Sequence, residues 1–158
     1  MKIVIGSDKS GFFLKETIKN YFLTESIGFI EVGTTNFENG VPFFKTAPEA
    51  IPYIYSGEAE KAILICGTGM GMAQVANKYK GIRAACCEST YAAKMCRAIN
   101  DSNVLCMGGW VIGPEMGLEM VKLFLNTEFT QDLEDWRKDF LKNAKKEFSA
   151  LEESIYRR

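Results

Sequence analysis

Residues 62–78, AILICGTGMGMAQVANK, pass from a short apolar run into a cysteine, then through Gly67, Gly69 and Gly71 into a helical pattern. A brief apolar run closed by glycines reads as a strand buried on both faces, and MGMAQVANKY after it reads as a helix. A buried strand feeding a helix through a tight turn is the repeating unit of a parallel sheet.

The same alternation extends in both directions. KIVIG (2–6), part of a strand expected to begin at Met1, precedes SGFFLKETIKNYFL, where Leu14, Ile18, Tyr21 and Phe22 recur at helical spacing behind a Ser10 cap. IGFIEVG (27–33) is a second strand, 34–46 a loop, and a Pro-containing helical segment runs to about Tyr55. KAILIC (61–66) is the third strand. IRAACC (82–87) and NVLCMG (103–108) follow, each leading to a helix, STYAAKMCRAIN and GPEMGLEMVKLFLN. Pro114 suits a first helical turn, and Leu118, Val121, Phe124 and Leu125 form that helix's apolar face. Five strands separated by helices predict one α/β domain, a parallel sheet covered on both sides. From Thr130 onward no strand remains. Leu133, Trp136, Phe140, Leu141, Ala144, Phe148, Leu151 and Ile155 keep helical spacing, so residues 131–158 are expected to form a helix of roughly 35 Å. Its apolar face either packs on a second subunit, the preferred reading, or folds back on its own sheet.

Length and composition bound the function. At 158 residues the chain suffices for one full core. A net charge of −1 with mixed signs argues against a general nucleic-acid surface. No apolar run approaches the ~20 residues of a membrane span, and the N-terminal run is too short for a signal peptide. The five cysteines, Cys66, Cys86, Cys87, Cys96 and Cys106, are odd in number, show no CxxC and lie in apolar segments, and the chain has no histidine. That composition gives no zinc-type ligand set and is expected of a reduced, cytoplasmic protein.

Cys66 stands at the C-terminal end of the third strand, where open parallel sheets bind ligands. The glycines permit close approach, and the N–H groups that open the next helix can hold an anion or promote a thiolate. A cysteine ending an apolar strand is, by itself, a small buried hydrophobe, the reading kept for the other four. A nucleotide loop is the third alternative, but GTGMG lacks the P-loop lysine. GSDKSG (6–11) places Asp8 and Lys9 at the exit of the first strand, as ligands for sugar hydroxyls and phosphate or as a cap and a solvated lysine. INDSN (99–103) offers Asn100, a hydroxyl ligand or an ordinary polar turn.

Together, MKIVIGSDKSGFFLKETIK, ILICGTGMGMAQVANKYKGIRAA and INDSNVLCMGGWVIGPEMGLEMVKLFLNTEF resemble the type B ribose-5-phosphate isomerase family, which includes the galactose-6-phosphate isomerase subunits. The resemblance runs from Met1 to about Phe129. It implies a Rossmann-like three-layer sandwich over 1–130, no metal or other cofactor, a homodimer or homotetramer with sites between subunits, and interconversion of phosphorylated aldoses and ketoses. Carried over by position, it makes Cys66 the base that moves a proton between C1 and C2 through a cis-enediolate. The backbone of Gly67, Thr68, Gly69, Met70 and Gly71 holds the developing charge, Thr68 touches the reacting oxygens, and Asp8 and Asn100 bind hydroxyls. Arg137, with Lys9, is the implied phosphate ligand.

The chain also departs from the family pattern. Asp8-Lys9 replaces Asp-His, and Ile99 stands where the family has its ring-opening histidine. Gln131, Asp132, Leu133 and Glu134 replace Gly-Gly-Arg-His, and Gly40-Val41-Pro42 replaces Asp-Tyr-Pro. These changes keep the proton-transfer groups and alter recognition. They lead to an isomerase of a mostly open-chain substrate, such as a four-carbon sugar phosphate. A non-catalytic or partner-dependent subunit working with a related chain is the alternative, and a nucleotide-binding regulator the third reading.

Overall fold

The computed structural model describes residues 2–157; Met1, assigned above to the first strand, lies outside them. The elements are β1 (Lys2–Ser7), α1 (Phe12–Thr24), β2 (Phe29–Gly33), α2 (Phe43–Tyr55), β3 (Ala59–Cys66), α3 (Met70–Ala76), β4 (Ala84–Cys86), α4 (Thr90–Ala98), β5 (Val104–Gly108), α5 (Pro114–Asn126) and α6 (Asp135–Tyr156). The five strands form one parallel sheet in the order β2-β1-β3-β5-β4. This is the expected three-layer α/β architecture with its long C-terminal helix.

Successive side chains on a strand point to opposite faces, so each central strand feeds two cores. Ile3, Ile5, Ile63, Ile65, Leu105 and Met107 pack with Ile18, Phe22, Met120 and Phe124 under α1 and α5. Val4, Leu64, Cys66, Val104 and Cys106 pack with Ala47, Ile51 and Met72 under α2 and α3. Burying each large side chain contributes about 1.5–3 kcal/mol, which is why the strands are apolar without alternation.

Helix starts follow local chemistry. Ser89 Oγ accepts from Ala92 N at 3.1 Å and caps α4, and Pro114 opens α5 behind an extended Gly113. Ser10 does not cap α1. Gly11 holds that position, and Asp8 Oδ1 accepts from the N–H groups of Ser10 (2.8 Å) and Gly11 (3.1 Å). One carboxylate oxygen thus takes up two N–H groups at the start of the helix. The loop after β2 also ends earlier than expected, because α2 begins at Phe43 behind an extended Pro42.

No residue of α6 is buried. It is tethered along the β4 edge by polar contacts: Lys145 to Asp101, Gly81 N to Glu152 Oε1 (2.8 Å), Tyr156 Oη to the Lys78 carbonyl (2.7 Å), and Lys80 to Glu153. A cleft of about 800 Å³ lies beneath, lined by Ile82, Ile99, Asn100, Phe129, Leu141 and Phe148 among others. The helix meets its own chain through these polar contacts and leaves Trp136, Phe140, Phe148, Leu151 and Ile155 exposed. Its start at Asp135 leaves Leu133 outside it.

Candidate active site

The sheet order changes direction between β1 and β3, and the crevice at their C-terminal ends is where open α/β sheets bind ligands. Asp8 follows β1 and Cys66 ends β3. The Asp8 N–H donates to the Ile65 carbonyl at 3.1 Å, joining the two exits.

Cys66 is 4 % exposed and faces the α2–α3 side. Gly69 N–H donates to its Sγ at 3.2 Å, which fixes where the sulfur points. That turn requires glycine: Gly69 has φ +80°, and a Cβ there would lie 2.8 Å from the Met107 carbonyl carbon. Thr68 is half-buried, with Oγ1 accepting from Met70 N at 3.4 Å, and Met70 itself is exposed. Gly71 lies against the Phe43 ring.

The exit of β5 carries this turn from below. Gly109 N–H donates to the Cys66 carbonyl (2.7 Å) and Trp110 N–H to the Gly67 carbonyl (3.0 Å). The Trp110 ring lies on Gly67, where a Cβ would come within 2.7 Å of it. Gly109 and Trp110 were not among the expected site residues. The available signal was GGW directly after NVLCMG, at the end of a strand that a two-sided sheet could place beside β3.

Asp8 is half-buried. Burial pushes its carboxyl above the ordinary range, against the N–H groups of Gly11 and Ser10 that favour the carboxylate. Lys9 is exposed, with Nζ 4.5 Å from the Phe37 ring centre. Lys15, from the next turn, is fully buried and held by Glu31, Glu16 and the Thr34 carbonyl.

Cys86 departs from expectation. It was assigned to the core, but β4 is an edge strand and its thiol is exposed, 3.6 Å from the Thr68 carbonyl. Cys87, Cys96 and Cys106 are buried; burial pushes the Cys106 thiol well above its usual value.

Asn100 and Arg137 are not brought to Cys66 within one chain. Cys66 pairs with Gly108 at the far end of β5, whereas Asn100 precedes that strand and lines the α6 cleft. The five residues of β5 alone separate the ends by roughly 17 Å. Arg137 lies one turn before Leu141 on the cleft-lining face of α6, and its guanidinium has no partner among the described residues. Asp101 orders this second group: its carboxylate binds Arg97 (2.9 Å), Arg83 (3.2 Å) and Lys145. Burial pushes the Asp101 carboxyl up, but Lys145, Arg83 and Arg97 together outweigh it and hold it below the usual range.

A family model described as Ribose/Galactose Isomerase matches residues 3–139, spanning both groups. The chain belongs to this family. Across its whole length this isomerase is 59 % identical to a 4-deoxy-4-sulfo-D-erythrose isomerase from Clostridium sp. (strain MSTE9), covering 99 % of that protein. It is 39 % identical over 82 % of its length to D-erythrulose-4-phosphate isomerase 2 from Mycolicibacterium smegmatis, covering 86 % of it. Among solved structures, ribose-5-phosphate isomerase B from Clostridium thermocellum superposes with a TM-score of 0.85 at 34 % identity, over 98 % of this chain and 99 % of the other. Among the described residues no helix is long and apolar enough to cross a membrane.

Proposed function

We propose that this isomerase interconverts 4-deoxy-4-sulfo-D-erythrose and its 2-ketose, with Cys66 as the base. The observation that carries the reading is the full-length similarity to an isomerase of that sugar, which includes the C-terminal helix. Ile99, beside Asn100, supplies the physical reason. A sugar ring closes when a hydroxyl of the same chain adds to the carbonyl. A sulfonate bonded through carbon at C4 leaves no oxygen there to close the usual ring, so a ring-opening acid–base side chain has nothing to do.

The thiolate of Cys66 removes the proton from C2, and the electron pair becomes the C1–C2 double bond as charge passes to O1. The proton on O2 moves to O1, the thiol returns its proton to C1, and O2 becomes the ketone oxygen. Backbone N–H groups of residues 67–71 hold the oxygen charge, the role for which a turn pre-ordered by β5 is suited. Asp8 and Thr68 bind oxygens from the same chain. Asn100 and Arg137 lie at the other end of the sheet, so they are supplied to each thiol by a second copy, making the working form at least a homodimer.

The test is proton NMR of the purified protein in deuterated water with 4-deoxy-4-sulfo-D-erythrose and with aldose phosphates of four, five and six carbons. Exchange at C1 and C2 of the sulfosugar, abolished in a folded Cys66→Ala variant, is expected. Exchange only with five- or six-carbon phosphates refutes the substrate, and undiminished exchange in Cys66→Ala refutes the base.

A further inference from the structure

Two aromatic rings bracket the glycine turn. Trp110 lies on Gly67 and Phe43 on Gly71, each so close that a Cβ on the glycine would meet the ring at 2.7 and 2.9 Å. Met70 is exposed between them. Trp110 is 74 % exposed even though one edge of its indole covers Gly67. The ring stands at the rim of the turn, over the residue that follows the thiol. Cationic charge is thin on the β1 side of the same rim: Lys9 rests over Phe37, and Lys15 is enclosed by its own partners.

We propose that Trp110 is a specificity-determining residue, an apolar wall of the substrate site that favours a singly charged terminal sulfonate over the doubly charged phosphate ester of the corresponding four-carbon sugar. The proposal rests on the function assigned above. A four-carbon chain reaches only about 5 Å from C1 to a sulfur on C4, and about 6 Å to the phosphorus of a 4-phosphate, which is carried one oxygen further out. A substrate whose C1 and C2 meet Cys66 and the glycine turn therefore keeps its anion close to whatever covers Gly67. The desolvation cost of an ion grows with the square of its charge, so an uncharged wall penalises a dianion about four times as heavily as a monoanion. A sulfonate carries one charge throughout the working pH range, whereas a phosphate monoester gains its second near pH 6. Arg137 of the second copy gives either anion one cation; a phosphate dianion calls for further planar guanidinium forks, and at position 110 the indole offers a single N–H instead.

The experiment compares kcat/KM for 4-deoxy-4-sulfo-D-erythrose and D-erythrose 4-phosphate in the full-length wild type, Trp110→Phe and Trp110→Arg. The wild type is expected to prefer the sulfonate and Trp110→Phe to keep that preference within about threefold. Trp110→Arg should move the ratio toward the phosphate ester by roughly tenfold or more, chiefly through KM, because the new cation acts on binding. A second measurement needs no variant. In the wild type the phosphate-to-sulfonate KM ratio should narrow as pH falls from about 7.5 to 5.5 and the ester becomes a monoanion. Equal losses on both substrates in the arginine variant, or a KM ratio independent of pH, overturns the proposal and leaves Trp110 as packing on the turn. A wild type that prefers the phosphate refutes the specificity assignment while the isomerase stands. Turnover of neither sugar refutes the function, and this inference with it.

Discussion

Replacing Asp101 tests whether one carboxylate holds the Asn100 loop and α6 together. Its three cations differ in burial: the side chain of Arg97 is 7 % exposed, that of Arg83 26 %, and that of Lys145 44 %. The outer pair with Lys145 contributes at most about 1 kcal/mol, as exposed ion pairs do. Breaking a buried pair from one side costs about 3–5 kcal/mol when the remaining charge is stranded. Arg97 is not stranded, since it also donates to the carbonyls of Ser102 (2.7 Å) and Thr127 (3.3 Å), which places the loss below that range. Asp101→Asn keeps an acceptor, and asparagine tolerates the residue's φ of +49°. We therefore expect about 2 kcal/mol of destabilisation for Asp101→Asn, and about 1 kcal/mol more for Asp101→Ala, which adds backbone strain. Urea denaturation at pH 7 measures both. The sign with pH follows from the carboxyl being held below its ordinary value: the wild-type advantage is complete above the unfolded pKa and disappears as pH falls through the folded one. The gap between wild type and Asp101→Asn should thus be constant above about pH 5 and close in acid. A difference under about 0.5 kcal/mol at pH 7, or a gap that widens in acid, refutes the reasoning.

Gly69→Ala forces a Cβ onto the Met107 backbone at positive φ, so turnover should be lost along with about 1–3 kcal/mol of stability; thermal melts beside the exchange assay read both. Mixing inactive Cys66→Ala with inactive Asn100→Ala under subunit exchange should restore about a quarter of wild-type activity, because half the dimers are mixed and each carries one intact site. No recovery, with exchange verified by mass spectrometry, contradicts the shared site.

The strands were legible because a sheet covered on both faces demands uninterrupted apolar runs, and Gly67 to Gly71 marked the ligand end of β3. The strand order was not. Nothing in IRAACC says that β4 lies outside β5, and that placement exposes Cys86 where an internal strand would have buried it. Trp110 and Asp101 escaped for a related reason. Each acts through partners distant in the chain, Gly67 for one and Arg83 with Lys145 for the other, and such pairings appear only when the sheet is assembled. The separation of Asn100 from Cys66 is likewise a matter of which end of β5 each occupies.

The enclosure of Lys15 gives the fold a built-in chemical reporter. Its ammonium has no solvent contact and is occupied by Glu31, Glu16 and the Thr34 carbonyl, so an amine-acylating reagent meets it only when α1 lifts from the sheet. Surface lysines such as Lys9 are modified at once, while the mass added at Lys15 accumulates at the rate of that opening. Peptide mapping after timed acylation then clocks the detachment of α1, the helix that follows directly from the Asp8 loop, in a protein still carrying its native sequence.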